Sequence, residues 1–148
     1  MEYGEVLKYL SPCGLDCARC ADYEQGEIKQ LSSRLVELLG NYGRVAKMKE
    51  ELNPIFKNYP VFAEILKNFA GASCGGCRSE NVQCFIVCEA KDCCREKGLD
   101  FCFQCGEYPC EKQFSGRRLR ELWKKKNDRM KEIGVVQFYN EQKNLPRY

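Results

Sequence analysis

Twelve cysteines stand in a chain of 148 residues that contains no histidine. They come in short spacings: Cys13, Cys17 and Cys20; Cys74 and Cys77; Cys84 and Cys88; Cys93 and Cys94; Cys102 and Cys105; then Cys110. Thiolates two to four residues apart can converge on one ion, and zinc or iron held by four sulfurs needs no imidazole. Bound metal is the leading reading of this pattern. Disulfides are the rival, because small secreted chains often rely on them in place of a large core. The first ten residues include Glu2, Glu5 and Lys8 and hold no apolar run of signal length, so nothing there resembles a secretory signal. No apolar run approaches the eighteen or so residues of a membrane span. The expected location is therefore the cytoplasm, where thiols stay reduced, with no membrane partner.

A chain of this length can bury roughly 68–70% of its extended surface, so one domain over residues 1–148 can build a core and metal is an addition to it. The formal net charge of +3 names no partner. It conceals an asymmetry, since residues 111–132 carry nine Lys or Arg against four Asp or Glu.

Hydrophobic periodicity predicts a mainly α fold, a small helical domain whose cysteine-rich metal-binding loops join N-terminal and C-terminal segments. Ile28, Leu31, Leu35, Leu38 and Leu39 recur at three and four residues and mark a helix with one buried stripe, ended by Gly40 and Gly43. Val45, Met48 and Leu52 continue the period to Asn53, where Pro54 is both a stop and a first-turn residue for the next segment. Val61, Phe62, Ile65, Leu66 and Phe69 form another apolar face closed by Gly71. These three helices are expected to be the scaffold between the two cysteine groups. Residues 72–113 hold nine cysteines and read as loops with one short helix, Glu89 to Lys97, capped by Gly98. Leu119, Leu122, Trp123, Met130 and Ile133 predict a helix over 117–133 stopped at Gly134, and a last short helix runs over 135–142. No alternating strand pattern is visible.

Cys13, Cys17 and Cys20 supply three thiols where a closed tetrahedral site needs four. The fourth has to come from the later half of the chain, so the two cysteine groups are expected to meet. Loop closure grows only logarithmically with length, which makes a distant ligand tolerable. Structural zinc contributes on the order of 10–16 kcal/mol in peptides, comparable with the whole stability of a domain. Cys93 and Cys94 are adjacent, and neighbours on a helical turn point about 100° apart, so one of the pair is expected to be spare. The candidate is Cys94, read as a small buried apolar residue.

Four segments carry a family resemblance: Cys-Gly-Leu-Asp-Cys-Ala-Arg-Cys at 13–20, Cys-Gly-Gly-Cys-Arg-Ser at 74–79, Cys-Cys-Arg-Glu-Lys-Gly at 93–98, and Cys-Phe-Gln-Cys-Gly-Glu-Tyr-Pro-Cys-Glu-Lys at 102–112. In order and spacing the chain resembles the domain of unknown function 3795 family, small cysteine-rich prokaryotic proteins presumed to bind metal. The resemblance reaches Lys-Glu-Ile-Gly at 131–134 and the final Pro-Arg-Tyr. It implies a cytosolic protein, no established reaction, and metal ligands at Cys13, Cys17, Cys20, Cys74, Cys77, Cys84, Cys93, Cys102, Cys105 and Cys110, with Cys88 added to the candidate set. Cys94 falls where the family pattern has a small residue, which argues against three full sites of four.

Zinc, as two or three ions, is favoured by the knuckle-like pairs at 74 and 102 over the alternative of an iron–sulfur cluster or redox protein acting in electron transfer or metal-dependent chemistry. The run Cys13-x3-Cys17-x2-Cys20 resembles the cluster motif of radical S-adenosylmethionine enzymes, but those need barrels of strands that this pattern lacks. Without histidine there is no Ser-His or Cys-His pair. Asp16, Asp22, Glu107 and Glu111 lie near candidate ligands and read as surface charges or caps. Arg117, Arg118, Arg120, Lys124, Lys125, Lys126, Arg129 and Lys131, with Trp123 and Tyr139 as stacking groups, make residues 117–131 a candidate nucleic-acid surface. The plainer reading is the wet face of an amphipathic helix. A protein partner of unspecified kind completes the expectation of a non-catalytic interaction module.

Overall fold

A computed structural model describes residues 1–148 as seven α-helices: α1 (Tyr3–Val6), α2 (Glu27–Leu39), α3 (Gly43–Lys49), α4 (Tyr59–Ala70), α5 (Ala90–Glu96), α6 (Arg117–Ile133) and α7 (Val135–Gln142). Two 3₁₀ turns, Pro54–Asn58 and Cys102–Gln104, complete the regular structure. The fold is mainly helical, and the cysteines lie in loops and short turns around it.

Helix ends follow the local chemistry. Asn53 Oδ1 accepts from the Ile55 amide at 3.2 Å and starts the turn opened by Pro54. Gly98, at φ 64°, ends α5 so that the Leu99 amide reaches back to the Cys94 carbonyl at 2.8 Å. Gly134, at φ 84°, separates α6 from α7 and lets the chain turn there without unwinding either helix.

The buried residues form two clusters. The first joins Val6, Leu10, Phe101, Met130, Val135, Phe138 and Tyr139, which brings α1, α6 and α7 onto the loop before the second 3₁₀ turn. The second joins Cys13, Ala90, Cys94, Cys102, Phe114 and Trp123, so three thiols are part of a core. Helix α6 serves both, through Met130 and Trp123.

The expected scaffold of three helices is corrected by the packing. Helices α2, α3 and α4 build an arm whose extensive contacts are with one another and with the turn at 54–58, and neither core cluster includes a residue from them. The arm leaves and rejoins the body at one place: the Cys74 amide donates to the Asp22 carbonyl and the Glu24 amide to the Cys74 carbonyl, both at 2.9 Å. With the start of α2 and the end of α4 at that base, the two helices pack antiparallel. The stripe on α2 is also corrected. Ser32 is buried and Ile28 and Leu39 are half-buried, whereas Leu31, Leu35 and Leu38 are exposed, because one facing helix covers less than the whole apolar width.

Candidate metal centres

The first cysteine loop is shaped by its own backbone. Ser11 Oγ accepts from the Leu15 amide and donates to the Leu15 carbonyl, each at 3.0 Å, and lies 3.0 Å from Cys13 Sγ. The loop turns through Gly14, at φ 85°, where a Cβ would stand 2.9 Å from Met130 Cε and 3.0 Å from Lys126 Cβ. Only glycine lets Cys13 approach α6 so closely. Asn127 fixes that approach: fully buried, it donates from Nδ2 to the Cys13 carbonyl at 3.1 Å, and its Oδ1 accepts from the Phe103 amide at 3.0 Å. The Cys102 amide donates to the Pro12 carbonyl at 3.2 Å. The two cysteine groups meet in space as the ligand arithmetic expected.

Around the first group, Cys17 and Cys77 stand thiol to thiol. Donation from Cys77 pulls the Cys17 thiol down to about 6 against the burial that opposes it, and the Cys77 thiol is pushed far up by the same contact. The Gly75-Gly76 turn of the knuckle packs on Cys17, and the Gln83 amide donates to Cys74 Sγ at 3.3 Å. Cys20 Sγ accepts from Tyr148 Oη at 3.6 Å, bringing the final residue to this neighbourhood. Cys84 is exposed, and its thiol is raised by partial desolvation and by the neighbouring Cys17, Cys88 and Cys20. Cys13 is the most enclosed of the set, and burial drives it up to about 12. Cys88 packs against the second buried cluster, which contains both Cys13 and Cys102, and burial raises its thiol.

Five thiols line a single cavity of about 20 Å³ in the second group: Cys93, Cys94, Cys102, Cys105 and Cys110. Cys94 and Cys102 Sγ atoms are 3.9 Å apart. Four sulfurs about 2.3 Å from a zinc ion have edges of roughly 3.8 Å, so this pair has the separation of two ligands of one ion. Two buried polar atoms on the cavity wall, Gln113 Oε1 and Trp123 Nε1, have no hydrogen-bond partner. Lys97 Nζ donates to Cys105 Sγ at 3.3 Å and to Glu107 at 2.6 Å, which places positive charge at the rim.

No group of three or more Cys, Asp or Glu side chains is arranged to hold an ion as it stands. The thiols are gathered as pairs within two shared neighbourhoods, and a change of χ1 rotamer carries a cysteine sulfur by about 3 Å, enough to bring a third and fourth into range. The donor set of the cavity fits a thiophilic ion. Thiolates in it would also offer the Trp123 N–H the acceptor it lacks. Cys13, Cys17 and Cys20 do not converge by themselves, and no strand surrounds them to make a barrel.

Three of the four carboxylates beside the cysteines have structural partners, while Asp22 is exposed and without an ion pair. Asp16 is buried rather than solvated, paired with Arg19 Nε at 2.6 Å, and Arg19 donates onward to the Gln142 and Leu145 carbonyls at 2.7 and 2.6 Å, where α7 ends. Glu107 pairs with Lys97 and Glu111 with Arg120. On α6, Arg117, Arg120, Lys124 and Arg129 each hold a carboxylate, and Lys126 donates to Gln142, leaving Arg118, Lys125 and Lys131 without an ion pair. Two residues outside the candidate set organise the site. Asn127 continues the buried line of Trp123 and Met130, four residues after one and three before the other, a position where a polar side chain signals a buried hydrogen bond. Arg78 donates to the Leu10 and Asp100 carbonyls at 3.0 and 2.6 Å and had no signal beyond its place in the knuckle.

A family model described as "Protein of unknown function (DUF3795)" matches residues 9–115, which takes in all twelve cysteines and the arm and stops before α6. The likeness at 131–134 and at the last three residues lies outside that match. No curated protein and no solved structure matches the chain.

Proposed function

For a chain that belongs to the family of unknown function DUF3795, we propose a non-catalytic zinc-binding module with two all-cysteine sites in a cytoplasmic, thiol-preserving setting. The observation that carries it is the cavity walled by five thiols, where one sulfur pair already has the spacing of two ligands and the indole N–H of Trp123 has no partner. Four of Cys93, Cys94, Cys102, Cys105 and Cys110 would hold one ion, with the fifth beside it. Cys17, Cys20, Cys74 and Cys77 would hold the other, with Cys13, Cys84 and Cys88 around it. The ion at Cys17, Cys20, Cys74 and Cys77 would crosslink segments far apart in sequence, the other would close the local loop from α5 to Cys110, and each would draw its thiols into their deprotonated state.

The protein-partner role is favoured over nucleic-acid binding because half of the cations on α6, Arg117, Arg120, Lys124 and Arg129, are engaged with carboxylates of the same chain, which reduces the phosphate-facing charge. No helix is long and apolar enough to cross a membrane. Elemental analysis of protein purified under reducing, oxygen-free conditions tests the reading. The expected result is two zinc ions per chain and a colourless solution. Visible absorbance with stoichiometric iron and sulfide would replace zinc with an iron–sulfur cluster, and absence of any stoichiometric metal would end the proposal.

A further inference from the structure

The arm presents an apolar face that nothing else in the chain covers. Leu31, Leu35 and Leu38 on α2 are 62%, 39% and 66% exposed, and Phe62, Ile65 and Phe69 on α4 are 45%, 49% and 38% exposed. Intervals of four and three on one helix and three and four on the other are the spacing of a coiled-coil seam. The seam is not the contact between α2 and α4. That contact lies one position on, along Ser32, Val36 and Leu39 of α2 and Ala63, Leu66 and Ala70 of α4, which are buried or half-buried. A shift of one residue turns a helical position by about 100°, and in an antiparallel pair that shift turns both helices toward the same side. The six side chains therefore form one strip along the hairpin.

At roughly 200 Å² per residue, their exposed fractions leave on the order of 600 Å² of apolar surface, at the upper limit of what a monomer ordinarily shows. A stable interface covers about 800 Å² on each partner, polar rim included, so the strip with its rim reaches that size. The charges on α2 and α4 balance, Lys29, Arg34 and Lys67 against Glu27, Glu37 and Glu64. Arg34 with Glu37 and Lys67 with Glu64 already pair within their own helices, at 3.0 and 3.2 Å. A face without net charge does not select phosphates or anionic lipid. Its regular seam on two antiparallel helices is matched in shape by an identical hairpin. We propose that the arm docks a second copy of this chain, hairpin to hairpin, as a two-fold symmetric four-helix bundle. The interface lies on the arm and away from both cysteine neighbourhoods, so it stands whether or not those hold zinc.

Sedimentation equilibrium on the full chain under reducing, oxygen-free conditions tests this. The expected species has twice the 17.1 kDa chain mass at micromolar concentration. The double variant Leu31→Glu, Leu38→Glu alters positions already in solvent within one chain. It is expected to weaken association by about 100-fold or more while far-UV helicity and metal content stay as in the parent. If glutamates at both positions cost helicity, Leu31→Gln with Leu38→Gln carries the same expectation. Val87→Glu, an exposed apolar residue on the body, is expected to leave the dimer intact. A parent chain that sediments at single-chain mass throughout, or a dimer that survives the Leu31 and Leu38 changes, overturns the proposal.

Discussion

Asn127 joins the two cysteine groups at a single side chain, and its energetics depend on the groups it satisfies. Removing it leaves the Cys13 carbonyl and the Phe103 amide without that partner in a site closed to water. At roughly 1–3 kcal/mol for each orphaned group, Asn127→Ala is expected to cost about 2–4 kcal/mol in urea unfolding, with weaker metal retention. A loss under about 1 kcal/mol would show that water replaces it. Gly14→Ala attacks the same contact from the other side. At φ 85° with Lys126 Cβ 3.0 Å from the added carbon, both strain and clash oppose it, and a cost of about 2–4 kcal/mol in the same measurement is expected. The spacing of the cysteines was enough to make the meeting of the two groups legible. Which residues enforce it was less so, since an asparagine among eight basic side chains draws no notice until its place on the buried line of α6 is counted. Cys94 is buried in the second cluster, as a small apolar residue is expected to be, and it also lies 3.9 Å from Cys102 Sγ, a sulfur neighbour that adjacency to Cys93 does not reveal because the chain folds back against the seven-residue α5.

Six of the seven helices were legible in the sequence, most of them almost to their ends, because Gly40, Gly71, Gly98 and Gly134 stop them and the apolar spacing fills them; the four-residue α1 is too short to show a period. Their partners were not. Periodicity reports that a face is apolar and is silent on what covers it, so α2, α3 and α4 read as the scaffold of the cysteine loops although they pack on themselves. Tyr42, Phe56 and Tyr59 illustrate the arm's self-sufficiency: the Tyr42 ring packs 5.3 Å from Tyr59 and 6.5 Å from Phe56, which closes its outer end without help from the body. An element with its own contacts should lose stability locally. Leu66, the buried leucine of α4, tests that: Leu66→Ala is expected to cost about 2–3 kcal/mol. Hydrogen exchange should accelerate over residues 27–70 by about 30-fold or more, while amides of α6 and α7 keep the parent rates. Equal acceleration across both regions would mean that arm and body unfold together.

At the scale of the molecule, the body is held by two modest clusters of seven and six buried residues, and the second counts three cysteines among its six. A cluster with that share of thiols contributes less from apolar burial than one filled by leucine or phenylalanine, because each side chain removes less surface from water. Two ions tying residues 13–20 to 74–77 and 93–94 to 102–110 would offset the deficit, since structural zinc contributes on the order of 10 kcal/mol or more where it closes a site. Removing metal should therefore act unevenly. With a strong chelator under reducing conditions, the melting temperature is expected to fall by at least about 20 °C, at roughly 3 °C per kcal/mol for a chain of this size. Exchange protection should disappear over residues 9–26 and 72–115 and persist in α2 and α4, whose contacts do not pass through a thiol. Loss of the arm along with the body would place the arm's stability in its base at Cys74. A melting temperature unmoved by chelation would mean that the apolar clusters suffice and that the twelve thiols do not serve as ligands.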